Sequence, residues 1–395
     1  MIKSNLKIIS VVGARPNFMK IAPFIKEIER HNKIGNSKIN HLLLHTGQHY
    51  DDRMSNTFFS DLNIPEADIN LHIGSGTHAK QVGETMIAFE EVIVAENPDW
   101  VIVVGDVNAT LACTVTAKKL QIKVCHIEAG LRSGDETMPE EINRLVTDRL
   151  SDLLLTPDIV AVNNLKKEGI QESKIKFVGN IMIDTLEKNR NRAERIKLND
   201  VLESNLISEQ LYTMPILSYQ VVTIHRPSNV DSKEILESIV RFLLDEAAVK
   251  MPIIWPVHPR TKKQLERCQL WEEILKHKRV ILLHPLRYHS MLRLNMGASI
   301  MLTDSGGLQE ECTVIGTPCL TLRWNTERPI TLVKNGGVGE LVGNDVDVIR
   351  NSYEKILKVK GNPVRPELWD GKTAYRCLYE ILSYNSNSNS NSNAL

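Results

Sequence analysis

Residues 7–28 read KIISVVGARPNFMKIAPFIKEI, and this segment sets the architecture expected of the whole chain. It begins with a β-branched run, Lys7–Val12, that has the composition of a buried strand. A turn with glycine and proline follows, and the next apolar residues recur at helical spacing on one face: Ile21, Phe24, Ile25 and Ile28. A strand, a turn and an amphipathic helix in this order predict one half of a βαβ unit.

The same alternation recurs along most of the chain. A charged connection near 186–209 divides the predicted strands into two groups. The strands before it are His41–His45, Trp100–Val104, Lys123–Ile127, Leu153–Thr156 and Ile175–Val178. The strands after it are Gln220–Ile224, Ile253–Val257, Val280–Leu283, Ser299–Thr303 and Cys319–Leu322. We therefore predict an α/β protein with two doubly wound, Rossmann-like domains that face a cleft. Open parallel sheets bind ligands there, at the carboxyl ends of their strands.

The domain boundaries are predicted where this alternation loosens. The first domain covers 1–185, with 366–383 as a C-terminal helix that returns to it, and the second covers 186–365. The Ser/Asn alternation of 384–395 has no apolar face, so we expect a disordered tail there.

The composition excludes several classes of protein. The chain has 395 residues, 48 Lys and Arg against 48 Asp and Glu, and 42% apolar residues. A chain without net charge offers no general attraction for nucleic acid or an anionic membrane, and no stretch reaches the roughly 18 apolar residues of a membrane span. The six cysteines form no C-x-x-C pair and no metal-ligand spacing. We expect reduced thiols, no metal site and a soluble, cytoplasmic protein.

A phosphate-binding turn is predicted at Ser305-Gly306-Gly307, between a strand and a helix. Backbone N–H groups at a helix N-terminus bind anions, and glycines allow an oxygen to approach closely. Ser305 could equally be an ordinary N-cap of this helix. Further into the helix, Glu311 could accept hydrogen bonds from both hydroxyls of a ribose. A phosphate contact and a ribose contact together indicate a nucleotide.

The sequence lacks the motifs of two common nucleotide-binding classes. No G-x-G-x-x-G follows the first strand, and Gly371-Lys372-Thr373 has no upstream glycine to make it a P-loop. Oxidation by bound NAD and kinase-type phosphoryl transfer are therefore unsupported, and no cofactor is predicted.

Ionisable side chains stand at several predicted strand ends. Asp106 and Glu128 follow two apolar strands, where unpaired carboxylates would be costly to bury, so we favour a functional role over a structural one. Glu140 lies in the first turn of a helix and is expected to pair with Arg144 at i, i+4. The other basic residues near strand ends are Arg15, Lys20, His225 and His258.

The motifs in their order resemble one family, the non-hydrolysing UDP-N-acetylglucosamine 2-epimerases, which have the glycosyltransferase B fold. The segments that carry the resemblance span roughly 11–343: Gly13-Ala14-Arg15-Pro16, Gly105-Asp106, His126-Ile127-Glu128-Ala129-Gly130-Leu131-Arg132, Pro139-Glu140-Glu141-Ile142-Asn143-Arg144, His225-Arg226, Thr303-Asp304-Ser305-Gly306-Gly307, Gln309-Glu310-Glu311 and Thr326-Glu327-Arg328-Pro329. The resemblance implies that UDP is held by Arg15, Lys20, His225, Leu286, Met291, Ser305, Gly306, Gly307, Glu311 and Arg328.

The resemblance also implies the residues of the chemistry and the partners. Asp106, Glu128 and Glu140 match the acids of the family, and His225 assists at the diphosphate. The expected partners are UDP-N-acetylglucosamine, UDP and a second copy of the chain in a homodimer. Many bacterial members bind a second UDP-sugar through a Gln-His-x-Gln element and a later arginine. Here Gln48-His49-Tyr50-Asp51 and Lys80 replace them, which argues against activation by substrate.

The reaction implied is reversible epimerisation at C2 by elimination of UDP and its re-addition to a 2-acetamidoglucal, for cell-surface polysaccharide precursors. Three other functions stay open at this point. A hydrolysing epimerase would release N-acetylmannosamine and UDP, and a close relative could act on a modified UDP-sugar such as a diacetamido uronate. A glycosyltransferase or a nucleotide-sugar sensor of the same fold is the third alternative.

Overall fold

The computed structural model describes residues 5–35, 38–47, 65–207, 216–358 and 361–392. The chain divides into two compact units, Met1–Thr185 with Glu367–Leu395 and Leu186–Pro366. Each unit is built on a parallel sheet with helices, which confirms the predicted α/β class. Across the described residues, no helix is both long enough and apolar enough to cross a membrane.

The described part of the first unit contains one sheet. Its strands are β1 (Asn5–Val12), β2 (Lys38–His45), β3 (Ile69–Asn70), β4 (Trp100–Val104), β5 (Lys123–Ile127), β6 (Leu153–Thr156) and β7 (Ile175–Phe177). They pair in parallel in the order β3-β2-β1-β4-β5-β6-β7. The strand order therefore reverses between β1 and β4, which is where doubly wound sheets bind ligands.

The helices that accompany this sheet come from both ends of the chain. They are α1 (Arg15–Ile34), α2 (His78–Glu96), α3 (Asn108–Lys119), α4 (Pro139–Leu150), α5 (Ile159–Lys167) and α6 (Ile181–Glu194), with a short 3₁₀ turn at Glu172–Lys174. One further helix of this unit, α16 (Thr373–Ser392), lies near the C-terminus. Every residue of β4 is buried, as expected for a central strand of a parallel sheet that is covered on both faces.

The second unit repeats the same winding. Its strands are β8 (Gln220–Thr223), β9 (Ile253–Pro256), β10 (Val280–Leu283), β11 (Ile300–Thr303), β12 (Cys319–Thr321) and β13 (Gly339–Leu341). They form a parallel sheet in the order β10-β9-β8-β11-β12-β13, which reverses between β8 and β11. The ligand-binding edge predicted for this unit is therefore the carboxyl end of these two strands.

The helices of the second unit follow its strands in the usual alternation. They are α7 (Leu198–Asn205), α8 (Pro227–Val230), α9 (Lys233–Arg241), a π-helical turn (Phe242–Ala247), α10 (Ala248–Lys250), α11 (Pro259–Arg267), α12 (Trp271–Lys276), α13 (Tyr288–Gly297), α14 (Gly306–Ile315) and α15 (Val346–Ile356), with 3₁₀ turns at Pro329–Thr331 and Val333–Asn335. The apolar core of this unit centres on fully buried Trp255, Phe242 and Tyr353.

The C-terminal helix, α16 (Thr373–Ser392), belongs to the first unit. Its first turn donates two backbone N–H groups to the carboxylate of Asp184, from Thr373 at 3.0 Å and from Ala374 at 2.7 Å. Just before the helix, the indole N–H of Trp369 donates to the carbonyl of Pro157 at 2.9 Å. These buried bonds fix the start of α16 on the unit that contains the N-terminus.

The prediction of a disordered tail from residue 384 is wrong as far as Ser392. Helix α16 continues through this stretch, and the ring of Tyr384 packs edge-on against Trp100 with 5.2 Å between centroids. The indole N–H of Trp100 also donates to Oδ1 of Asn385 at 3.0 Å. Adding residues to an existing helix costs much less than starting one, and the indole offers partners that the Ser/Asn composition does not reveal.

Candidate active site

The turn after β4 carries Asp106 and requires a glycine before it. Gly105 has a φ of +69°, and a Cβ at this position would lie 3.1 Å from Nζ of Lys20. The amide of Asn17 donates to the carbonyl of Val104 at 2.7 Å. Its oxygen accepts from the N–H of Ala14 at 2.9 Å, which ties the turn after β1 to the end of β4. Asp106 therefore stands at the reversal point of the first sheet.

Asp106 is held by two residues of α4. Nη1 of Arg144 donates to Oδ2 of Asp106 at 2.5 Å, and Nδ2 of Asn143 donates to the Asp106 carbonyl at 2.8 Å. The Asp106 side chain is 28% exposed, so the carboxylate is partly open to a ligand while one of its oxygens stays paired. The sequence identified Asp106 but gave no sign of Arg144 as its partner.

Glu128 follows β5 in a conformation that few residues other than glycine adopt. Its φ is +74°, and its carboxylate is ion-paired with Nζ of Lys20, both side chains being almost fully buried. Left-handed backbone at a residue with a side chain is typical of functional sites. Lys20, which the family resemblance places near UDP, thus contacts the carboxylate of Glu128 instead of standing alone.

The helix α4 uses its two adjacent glutamates differently. Glu141 is buried and accepts from Nε of Arg144 at 2.9 Å and from the N–H groups of Ser133 and Gly134 at 3.0 Å. Glu140 is exposed. The expected pair of Glu140 with Arg144 is therefore wrong: Glu141, at i, i+3, lies on the buried face of α4 and takes the guanidinium.

The structure describes three other sequence features of the first unit to different extents. Arg15 is the first residue of α1, and its side chain lies outside the described part of the chain. The segment 48–51 also lies outside the described residues. Lys80 is exposed and pairs with Glu84 at 3.7 Å.

At the reversal point of the second sheet, a buried aspartate organises the turn after β8. Nδ1 of His225 lies 2.8 Å from Oδ1 of Asp304, and Oδ2 of Asp304 accepts from the backbone N–H groups of His225 and Arg226, both at 2.8 Å. Burial by itself would raise the pKa of Asp304, but His225 and these backbone donors lower it overall. The His225 ring also lies 5.2 Å from the ring of His258. Asp304 is thus a positioning partner that the sequence did not single out.

The plain helix cap that the sequence offered for Ser305 is not formed among the described residues. Ser305 occupies the N-cap position of α14, yet its hydroxyl makes no capping hydrogen bond there. A Cβ on Gly306 would lie 2.8 Å from Nη1 of Arg328 and 2.9 Å from Oε1 of Glu327. A side chain at this position would therefore force the buried guanidinium and carboxylate beside the first turn of α14 to shift.

Arg328 is held beside this turn by carboxylates. Its Nε lies 2.6 Å from Oε1 of Glu310, and its Nη1 contacts Oε1 of Glu327, all three residues being buried. Glu327 also pairs with Arg323 at 2.8 Å. Buried guanidinium and carboxylate groups in one network offset each other's desolvation cost and fix the orientation of the guanidinium.

The carboxyl group of Glu311, in α14, has a raised pKa. It is 3% exposed, and this burial raises its pKa to about 7, although contacts with Tyr288 and Asn295 act in the opposite direction. Leu286 and Met291, predicted near uracil, pack in or against an apolar cluster of the same unit. Within the described ranges, no group of three His, Cys, Asp or Glu side chains could hold a metal ion.

Comparison with known proteins places these residues in a family context. The family model described as UDP-N-acetylglucosamine 2-epimerase matches residues 32–382. The UDP-N-acetylglucosamine 2-epimerase of Methanocaldococcus jannaschii is 39% identical over 96% of this chain and 99% of its own. The UDP-2,3-diacetamido-2,3-dideoxy-D-glucuronate 2-epimerase of Pseudomonas aeruginosa is 37% identical over 96% and 99%. The crystal structure of the Methanocaldococcus enzyme with UDP-GlcNAc and UDP has a TM-score of 0.84, with 96% of this chain and 100% of that chain covered.

Proposed function

This chain belongs to the UDP-N-acetylglucosamine 2-epimerase family, and we propose that it interconverts UDP-N-acetylglucosamine and UDP-N-acetylmannosamine. The observation that carries the proposal is the placement of Asp106 and Glu128 at the ends of adjacent strands β4 and β5, each beside a buried cation. The product would serve as a precursor of cell-surface polysaccharides.

The chemistry requires an electron sink because the C2 proton of an N-acetylhexosamine has no adjacent carbonyl. Departure of UDP supplies it: the C1–O bond breaks, its electron pair leaves with the diphosphate, and a carboxylate takes the proton from C2. The 2-acetamidoglucal that results regains UDP at C1 and a proton at C2 from the opposite face. Acid–base groups must therefore stand on both faces of the sugar.

The residues divide between this chemistry and the retention of UDP. Asp106 and Glu128 supply the acid–base groups, with Glu140 as a third participant and His225 at the diphosphate. The proposed UDP contacts divide by the part of UDP that they bind. Glu311 binds the ribose, and Leu286 and Met291 lie at the uracil. The phosphate groups are bound by Arg15, Lys20, Ser305, Gly306, Gly307 and Arg328. Cationic and N–H donors stabilise the negative charge that builds up on the departing diphosphate. No cofactor is proposed, and the functional form is a homodimer.

A modified sugar is the second candidate substrate. The Pseudomonas relative, which is named as an epimerase of a diacetamido glucuronate, is 37% identical to this chain, close to the 39% of the Methanocaldococcus enzyme. The two substrate classes share the C2 centre and the UDP leaving group. Both sugars should therefore be compared as substrates.

The proposed function predicts exchange of the C2 hydrogen with solvent. In deuterated water without added NAD or metal, the purified protein is expected to interconvert the two UDP-sugars and to place deuterium at C2. The reason is that the abstracted proton resides on a carboxylate, where it can exchange before it returns. Mass spectrometry and proton NMR of the recovered UDP-sugars measure both quantities.

Each other outcome selects a different function. Epimers that retain the original hydrogen would overturn the proton-transfer scheme. Stoichiometric free N-acetylmannosamine would select hydrolysis, and turnover of the diacetamido uronate alone would select the second candidate. Absence of turnover with every UDP-sugar would favour a sensor or a glycosyltransferase.

The raised pKa of Glu311 predicts that UDP affinity depends on pH. A ribose diol donates hydrogen bonds, so it favours the ionised carboxylate, which predominates only above a pH of about 7. We expect affinity to be highest above that pH and to fall about tenfold between pH 8 and pH 6 as the carboxylate takes up a proton. Calorimetric titration with UDP across this range measures the effect.

Glu311→Gln is the control for this pH dependence. Phosphate groups of UDP themselves titrate near pH 6, so both proteins share that contribution. Only the wild type should show the additional loss of affinity, and the variant should bind UDP more weakly at pH 8. Parallel pH profiles in the two proteins would remove Glu311 from the ribose site.

A further inference from the structure

A fully buried histidine and aspartate connect the turns that carry Asp106 and Glu128. His126 lies in β5 and Asp148 in α4, and neither side chain is exposed. Nδ1 of His126 lies 2.6 Å from Oδ1 of Asp148, and its Nε2 lies 2.9 Å from the carbonyl oxygen of Gly105. The imidazole therefore spans the gap between α4 and the turn before Asp106.

Both partners of this imidazole are acceptors. A carbonyl oxygen and an ionised carboxylate can only accept, so each ring nitrogen faces an acceptor. Burial alone would raise the pKa of Asp148, but His126 and Arg132 lower it overall, which keeps the carboxylate ionised. An ionised acceptor makes the buried hydrogen bond between Asp148 and His126 strong.

The second oxygen of Asp148 reaches the turn after β5. Oδ2 accepts from the N–H of Gly130 at 2.9 Å and from Nη1 of Arg132 at 2.7 Å. Gly130 has a φ of +83°, and a Cβ there would lie 2.5 Å from the carbonyl oxygen of Ala161. Asp148 thus bonds to the last residue of the tightly packed turn 128–130, which carries Glu128.

Three positions along this path have left-handed backbone. Gly105, Glu128 and Gly130 have φ values of +69°, +74° and +83°. The two glycines adopt this conformation at little cost, whereas it is costly for Glu128 and persists there only because the surroundings determine it. His126 and Asp148 bond to the outer two of these positions, on both sides of the pair of carboxylates.

We propose that His126 and Asp148 are positioning residues, which set the placement of the Asp106 and Glu128 carboxylates relative to each other. The proposal rests on the proposed roles of those two carboxylates. A proton must leave one face of the sugar and arrive at the other. A shift of either turn therefore displaces one carboxylate from the face of the sugar that it serves. In metal sites, substitution of a residue that orients a ligand through a hydrogen bond lowers metal affinity or activity about 10–100-fold, and we expect a similar effect here.

The test compares three variants with the wild type by steady-state kinetics and UDP binding. His126→Asn, His126→Gln and Asp148→Asn are each expected to lower kcat about 10–100-fold with KM changed less than about threefold. UDP affinity should change little, because most of the proposed UDP contacts, including the Ser305 turn, belong to the other compact unit. His126→Gln should keep more activity than His126→Asn, because only the longer amide can reach the Gly105 carbonyl.

Asp152→Asn is the matched control. Asp152 also accepts a backbone N–H, from Val124 at 2.8 Å, and pairs with a cation, Lys118, at 2.7 Å. It contacts the same strand β5 at its opposite, amino-terminal end. This variant should lower the melting temperature and leave kcat unchanged.

The outcomes separate this proposal from the proposed function. Unchanged kcat in folded His126 and Asp148 variants, with Asp106→Asn inactive, would overturn the positioning role alone. An equal loss of kcat in Asp152→Asn would overturn it too, because the effect would then be a general loss of stability. Full activity of Asp106→Asn would instead refute the proposed chemistry. If His126→Asn does not fold, His126→Gln carries the same comparison.

Discussion

Asp106→Asn and Glu128→Gln are expected to lower kcat by about 10²–10⁴-fold, the range usual for removal of a general acid or base. UDP affinity should change less than about twofold in both. Each substitution keeps the size of the side chain, replaces one acceptor oxygen with an N–H₂ donor, and removes the ability of the group to take up a proton at C2. Rates from proton NMR and affinities from calorimetry measure the two effects separately.

A second aspartate at the other end of β4 is the matched control for Asp106. Asp99 precedes the strand and accepts from the backbone N–H of Lys7 at 2.9 Å. Asp99→Asn should therefore retain full kcat.

Asp106→Asn is also expected to release UDP and the glycal, because a site that expels the leaving group without reprotonating C2 loses its intermediate. A wild-type rate in Asp106→Asn or Glu128→Gln would remove that carboxylate from the chemistry.

The strands at the centre of each sheet could be predicted from the sequence because they are continuous apolar runs. The observed bounds of β4, β5, β6 and β10 are those predicted, since parallel strands covered on both faces are mostly apolar. The two strands that were missed lie at sheet edges, β3 with two residues and β13 with three. So short a segment has too few residues to show a pattern.

The strand-end residues of the candidate site could be picked out from the sequence, but their ion-pair partners could not. Asp106 and Glu128 could be found because a carboxylate after an apolar strand is unusual. Their cations are far away in sequence: Arg144 is 38 residues from Asp106, and Lys20 is 108 residues from Glu128. Such pairs are set by how α1 and α4 pack on the sheet, and local spacing favoured the incorrect pair of Glu140 with Arg144.

Glu141→Gln is expected to lower the free energy of unfolding by about 3–5 kcal/mol, the usual cost of breaking a buried ion pair from one side. The guanidinium of Arg144 lies between Glu141 and Asp106, and the Glu141 side chain is only 2% exposed. In this variant, an amide also replaces the carboxylate that accepts from the backbone N–H groups of Ser133 and Gly134. The midpoint of urea unfolding, with its slope, measures the loss.

Glu140→Gln, one residue earlier, should give the opposite pattern. Glu140 is exposed, so stability should change by less than about 0.5 kcal/mol. If Glu140 takes part in proton transfer, kcat should fall about 10²-fold or more. Two isosteric substitutions at adjacent positions of α4 therefore separate a group that acts on the substrate from one that acts through Arg144. A stable Glu141→Gln together with a fully active Glu140→Gln would contradict both assignments, because neither carboxylate would then do what its surroundings indicate.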